Sequence, residues 1–138
     1  MKFDIQKTAS EIEKKCPEII FAFLYGSAKD GTVKKGSDID IAIYLNQKSD
    51  LNSYTKIIDI VEKNVPGAQA DIGILNNADP IYRFEALKGK MLFCKDKEKY
   101  TGFFSLTCRK YEDQMADYER QQKYRKLRIS NKRERSLT

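Results

Sequence analysis

The sequence predicts an α+β fold: a small sheet of about four strands flanked by helices, with a long helix at the C-terminal end. Three observations carry that expectation. Ile19 to Tyr25 is a short apolar, aromatic-rich run that stops at Gly26, as a strand buried on both faces does. Two later segments alternate apolar and polar residues with a period of two. Between these runs lie stretches whose apolar residues recur at helical spacing.

The elements follow in order. Ile5, Ala9, Ile12 and Cys16 share a helical face, with Asp4 placed as an N-cap and Pro17 ending the helix. The stretch from Gly26 to Gly36 holds three glycines and reads as a loop, with one helical turn after Ser27. In Asp38 to Leu45, Ile39, Ile41 and Ile43 share one face and Asp38, Asp40 and Ala42 the other, which makes a strand. Leu51, Tyr54, Ile57, Ile58 and Val61 give a helix over Asp50 to Lys63, and Pro66-Gly67 a turn. Ala70 to Leu75 is a further strand, with Ile72 and Ile74 opposite Asp71, Gly73 and Leu75. Asp79-Pro80 opens a helix, Gly89 stops it, and Lys90 to Cys94 is a short edge strand. Thr101 to about Lys126 forms the long helix, and residues 130–138 a polar tail without structure. With no internal repeat and no linker, residues 1–129 make one domain.

Composition excludes several chemistries. There is no histidine, and the three cysteines, Cys16, Cys94 and Cys108, are far apart. That removes the Ser-His-Asp and Cys-His devices and a four-ligand zinc site. A metal here is a hard cation on carboxylates. No apolar run nears the ~20 residues of a membrane span, and the polar N-terminus lacks a signal peptide's apolar core. The expected compartment is the cytoplasm. The net charge of +6 is carried by the end of the chain: from Arg120 onward eight Lys/Arg face one acid, so the rest is close to neutral. That asymmetry argues against a nucleic-acid-binding body, although a basic tail leaves RNA open as a partner.

The chemistry-bearing stretch is Leu24-Tyr25-Gly26-Ser27, followed by Ser37-Asp38-Ile39-Asp40. Aspartate is depleted in strands, and two at i and i+2 put like charges on one face, roughly 6–7 Å apart. A divalent cation offsets that repulsion, and Asp71 offers a third carboxylate from a strand with the same pattern. Gly73, on the face of Asp71, leaves space for a ligand. Gly26 lets backbone approach a phosphate, and a helical turn at Ser27 would aim N–H groups and a hydroxyl at it. Each part alone also fits a blander reading: a solvated strand end for the acids, an ordinary strand-to-helix turn for Gly26-Ser27.

Together, Gly26-Ser27, the glycine-bearing loop, Asp38-Ile39-Asp40 and Asp71 resemble the DNA polymerase β-type nucleotidyltransferase superfamily. The small size and layout are similar to its minimal nucleotidyltransferase (MNT) group. The resemblance runs from about Ile5 to Asp96. It implies a polymerase β-like core with a mixed sheet, and transfer of a nucleoside monophosphate from ATP or another NTP with release of pyrophosphate. It implies Asp38, Asp40 and Asp71 as catalytic residues and ligands of two Mg²⁺ ions, Asp71 serving as general base. Gly26, Ser27 and Lys29 are the implied nucleotide-binding residues. Asp30 departs from the pattern, since many members carry arginine there; Lys29, Lys34 and Lys35 could supply the positive charge. Stand-alone MNT proteins resemble the antitoxin half of MNT/HEPN toxin–antitoxin pairs, which implies a HEPN toxin as partner and AMPylation of its tyrosine. The basic residues from Arg120 to Arg128 could dock on that partner. Two other readings stay open: a non-catalytic binding module, and a nucleotidyltransferase for a small molecule or an RNA 3′ end.

Overall fold

The computed structural model describes residues 2–33, 38–46 and 51–137, and only the backbone of Ser27, Leu51, Asn52 and residues 132–137. Lys34, Lys35, Gly36, Ser37 and Asp50, named above, lie outside the described residues.

The chain runs α1 (Ile5–Lys15), β1 (Ile19–Tyr25), a 3₁₀ turn (Gly26–Ala28), β2 (Asp38–Leu45), α2 (Leu51–Asn64), β3 (Gln69–Ile74), α3 (Pro80–Leu87), β4 (Lys90–Cys94) and α4 (Lys97–Leu137). The caps are those the sequence announces. The Asp4 carboxylate accepts from the Lys7 N–H at 3.1 Å, and Asp79 accepts from Ile81 N–H at 2.8 Å.

The four strands form one mixed sheet in the order β3-β2-β1-β4. β1 pairs antiparallel with both β2 and β4, and β2 pairs parallel with β3. β1 is therefore central, which explains a strand with no polar face. β4 is an edge, as expected. At the far end of the β2/β3 ladder Asn76 acts as a substitute strand residue. Its Oδ1 accepts from Leu45 N–H at 2.9 Å and its Nδ2 donates to Leu45 O at 2.8 Å.

Period-two alternation splits the core in two. On one face Ile39, Ile41, Ile43 and Leu45 of β2, with Ile72 of β3, pack against Ile12 of α1 and Ile57, Ile60 and Val61 of α2. On the other, Phe21, Phe23 and Ala42 pack with Ala86 of α3 and Phe103 of α4. Phe21 stacks on Tyr44 with centroids 4.7 Å apart, and Phe84 of α3 stacks on Tyr111 of α4 at 3.9 Å. The second layer covers the Leu45 end of that face, and Asp38 and Asp71 at the opposite end are exposed.

Two features differ from expectation. α4 starts at Lys97, four residues before the expected Thr101, because the Asp96 carboxylate caps Lys99 N–H at 3.1 Å. It also runs on through 130–137, where the composition suggests an unstructured tail; nothing after Gly102 is a Gly or Pro that would break it. Gly89 has the second surprise. It does not adopt the positive φ of a helix stop; among the described residues the positive-φ glycines are Gly26, Gly31 and Gly67. Its lack of a side chain lets the α3–β4 turn lie on β1, where a Cβ would sit 2.8 Å from Tyr25 Cβ and 3.0 Å from its Cα and collide with the Leu24 carbonyl. Gly89→Ala should therefore cost about 1–3 kcal/mol, seen as a lower denaturant midpoint with an unchanged slope.

Candidate functional site

The parallel register of β2 and β3 sets Asp40 directly beside Asp71, and the antiparallel register of β1 and β2 sets Tyr25 on the other side of Asp40. A row Tyr25–Asp40–Asp71 thus crosses three neighbouring strands about 4.8 Å apart. All three side chains share the face of Ala42 and Gly73 by alternation. Asp38, paired with Gln69, lies one step further toward the open end of that face.

Gly26 joins the turn to the row. Its φ is +76°, and a Cβ there would collide with the Asp40 carboxylate. A glycine is needed twice over: for the left-handed backbone and for the space that Asp40 enters. Lys29 follows the 3₁₀ turn and is exposed, its N–H donating to Gly26 O at 3.5 Å. The Asp30 carboxylate is turned to its own loop, accepting from Thr32 N–H at 2.9 Å.

Electrostatics follow from the row. Burial pushes the Asp40 carboxyl above the usual carboxylate range, and the charges of Asp71 and then Asp38 push it further. Among the described residues no three acidic or cysteine side chains form a ready-made metal cluster, so the three aspartates are neighbours rather than a closed cage. The donor set still suits Mg²⁺. It is all carboxylate oxygen, it carries a repulsion that a cation would relieve, and Mg²⁺ is typically held by one or two carboxylates with the remaining positions left to water and phosphate.

Gly73 does not leave space for a ligand. The Tyr82 hydroxyl of α3 fills that niche, where a glycine Cβ would collide with it. This hydroxyl also hydrogen-bonds the Tyr25 hydroxyl at 2.9 Å, with the two rings edge to face at 5.8 Å. Burial raises both phenols, and the charges of Asp40 and Asp71 raise them further. Both therefore stay neutral beside the acids. Sequence reasoning assigns Tyr82 no role; the available signal was Tyr25, whose parity in β1 places it on the acid face.

Beyond the tyrosine pair lies an open groove of about 910 Å³. Tyr25, Gly26 and Lys29 line one side, and Ile81, Tyr82 and Glu85 of α3 with Lys88 at its C-cap the other. Its volume suits a nucleotide-sized ligand. Gly26 thus borders both groove and row, Lys29 lines the groove, and the three aspartates lie outside the groove lining.

Comparison with known proteins gives a consistent picture. A family model described as polymerase beta, nucleotidyltransferase, matches residues 6–98. No curated protein matches the chain. Among solved structures, a mutant MntA–HpeT toxin–antitoxin structure superposes with a TM-score of 0.68 at 19% identity, over 83% of this chain and 91% of that one. A toxin–antitoxin structure with AMP-PNP gives 0.65 at 19% identity, over 81% and 90%. The complex of tri-AMPylated Shewanella oneidensis HEPN toxin with MNT antitoxin gives 0.61 at 18% identity, over 83% and 92%. At such identities the likeness is one of fold. Among the described residues no helix is long and apolar enough to cross a membrane.

The raised Asp40 pKa makes a signed prediction. A carboxyl that binds its proton more tightly when folded gives stability that is full below the unfolded value of about 3.9 and lost as pH rises through the folded pKa. Without divalent cations, Asp40→Asn should melt a few degrees above the parent at neutral pH, and the gap should close in acid. Thermal melts at the two pH values check this; a gap independent of pH would contradict the assignment.

Proposed function

The chain belongs to the polymerase beta nucleotidyltransferase family, and from that footing we propose that it transfers AMP from ATP to a tyrosine hydroxyl of a HEPN-type toxin, acting as its antitoxin. The observation that carries the reading is the pairing of Asp40 with Asp71 on the open end of the sheet face, against the Gly26 turn. Two solved structures of similar fold support the acceptor and the nucleotide: one holds an AMPylated HEPN toxin with its MNT antitoxin, the other AMP-PNP.

In this reading Asp38 and Asp40 would hold two Mg²⁺ ions, with Asp71 as a further ligand. Bound magnesium would neutralise the triphosphate and acidify the acceptor hydroxyl. Gly26, Ser27 and Lys29 hold the triphosphate beside the acid row. Asp71 takes the proton of the acceptor hydroxyl. The acceptor oxygen bonds to the α-phosphorus, the bond to the bridging oxygen of the β-phosphate breaks, and pyrophosphate leaves. The chain's own contribution is placement and charge compensation, which positioning alone makes large. The neutral tyrosines Tyr25 and Tyr82 shield one side of the row without adding charge. A soluble, cytoplasmic setting agrees with this role.

The test is transfer of label from ATP radioactive at the α-phosphate, with Mg²⁺ and a HEPN-type toxin. The expected result is label on a toxin tyrosine, reduced by about 10²-fold or more in Asp38→Asn or Asp40→Asn while circular dichroism is unchanged. Full activity in either variant refutes the site. Tight complex formation without label favours the non-catalytic binding module, and label on RNA ends or a small molecule instead favours those acceptors.

A further inference from the structure

The second half of α4 stands apart from the body. From Glu112 to Asn131 every side chain is exposed except the half-buried Gln114 and Gln122, about 30 Å of helix. Its charges are segregated. Residues 112–119 hold Glu112, Asp113, Asp117 and Glu119 with no cation; residues 120–128 hold Arg120, Lys123, Arg125, Lys126 and Arg128 with no acid.

That order works against a solitary helix. Asp113 and Asp117 are like charges at i,i+4; Lys123 with Lys126, and Arg125 with Arg128, are like charges at i,i+3, against the favourable i,i+4 spacing of Glu119 and Lys123 at the boundary. Among the described residues one ion pair closes across the boundary, Arg120 with Asp117 at 2.8 Å. A long solvated helix so arranged gains little from its own surface, and helices of this kind usually draw stability from a packed neighbour.

The helix also carries a seam. Tyr111, Met115, Tyr118, Gln122, Arg125 and Ile129 recur at spacings of 4, 3, 4, 3 and 4, the a/d rhythm of a coiled coil. Met115 is 37% exposed, Tyr118 56% and Ile129 53%, so the stripe is open beyond Tyr111, which Phe84 of α3 covers. The spacing reads the same from either end, with its centre at Arg120, which is also where the charge changes sign.

We infer that α4 pairs with α4 of a second copy of this chain, antiparallel, about a two-fold axis near Arg120. Antiparallel alignment lays the acidic block of each copy along the basic block of the other, twice over. Parallel alignment stacks like on like. The same alignment sets Tyr118 beside Gln122 of the second copy and Met115 beside Arg125, a self-complementary contact of the kind a two-fold dimer requires. Glu112 and Lys126 flank the seam on the same side and become neighbours across the pair. An acidic surface on another protein would satisfy the basic block and leave the acidic block unmatched, which is why a second copy is the better occupant. The inference does not depend on the reading of the acid row.

Sedimentation of the full chain over a micromolar concentration series tests it. The expected result is a monomer–dimer equilibrium that weakens as salt rises from about 0.1 M to about 1 M, where screening shortens from ~10 Å to ~3 Å. Two variants sharpen the test: Lys123→Glu with Lys126→Glu, and Glu112→Lys with Glu119→Lys. Each alone should self-associate at least about tenfold more weakly, and an equimolar mixture should recover the dimer. A chain with Tyr118→Cys and Gln122→Cys, oxidised and mapped by peptide mass, should link 118 to 122 between copies. A wild-type chain that stays monomeric overturns the proposal, as do links of Tyr118→Cys to itself, or association seen only with a different protein.

Discussion

Two like charges side by side on adjacent strands are the constraint around which this molecule is arranged. Asp40 and Asp71 are register partners in a parallel ladder, and a ladder has no freedom to separate them. A slip of one residue would turn both acids into the layer built by α1 and α2 and expose the isoleucines. The apolar side of β2 and β3 thus enforces the repulsion on the polar side. The cost is held by burial of Ile39, Ile41, Ile43 and Ile72 and by the Asn76 clasp on Leu45 at the other end of the ladder.

The sheet's lower layer makes the polar face a divided surface. Aromatic packing of Phe21, Tyr44 and Phe103 fills one end. The other end is left to carboxylates, a glycine turn and two neutral phenols. Dry packing beside the acids holds them in place, and open solvent on their far side leaves them reachable. This division sets an open acidic row directly on a packed scaffold.

Much of this was legible in the sequence, because it is written in local rules. Alternation put Ile39, Ile41, Ile43 and Ile72 on the face that packs against the helices and Asp38, Asp40, Ala42, Asp71 and Gly73 on the other, and Asp4 and Asp79 announced their helices as caps. The candidate residues Gly26, Asp40 and Asp71 were placed together by the resemblance, whose spacing encodes a register that no single segment reveals, and they are neighbours in the fold. What escaped is tertiary. Gly73 and Gly89 both read as gaps or stops, yet each is a point where a distant element comes close: the Tyr82 hydroxyl in one case, the β1 backbone in the other. No pattern of period two or 3.6 reports which side chain will enter a missing Cβ. The start of α4 escaped for a smaller reason, since Asp96 sits behind a lysine-rich stretch with no apolar rhythm.

The Tyr82 hydroxyl in the Gly73 niche ties two positions on different elements into one heritable unit. Any side chain at 73 evicts the ring, and a ring without its niche cannot reach Tyr25. A side chain at 73 therefore requires a smaller residue at 82, whereas the tyrosine can shorten with the glycine unchanged.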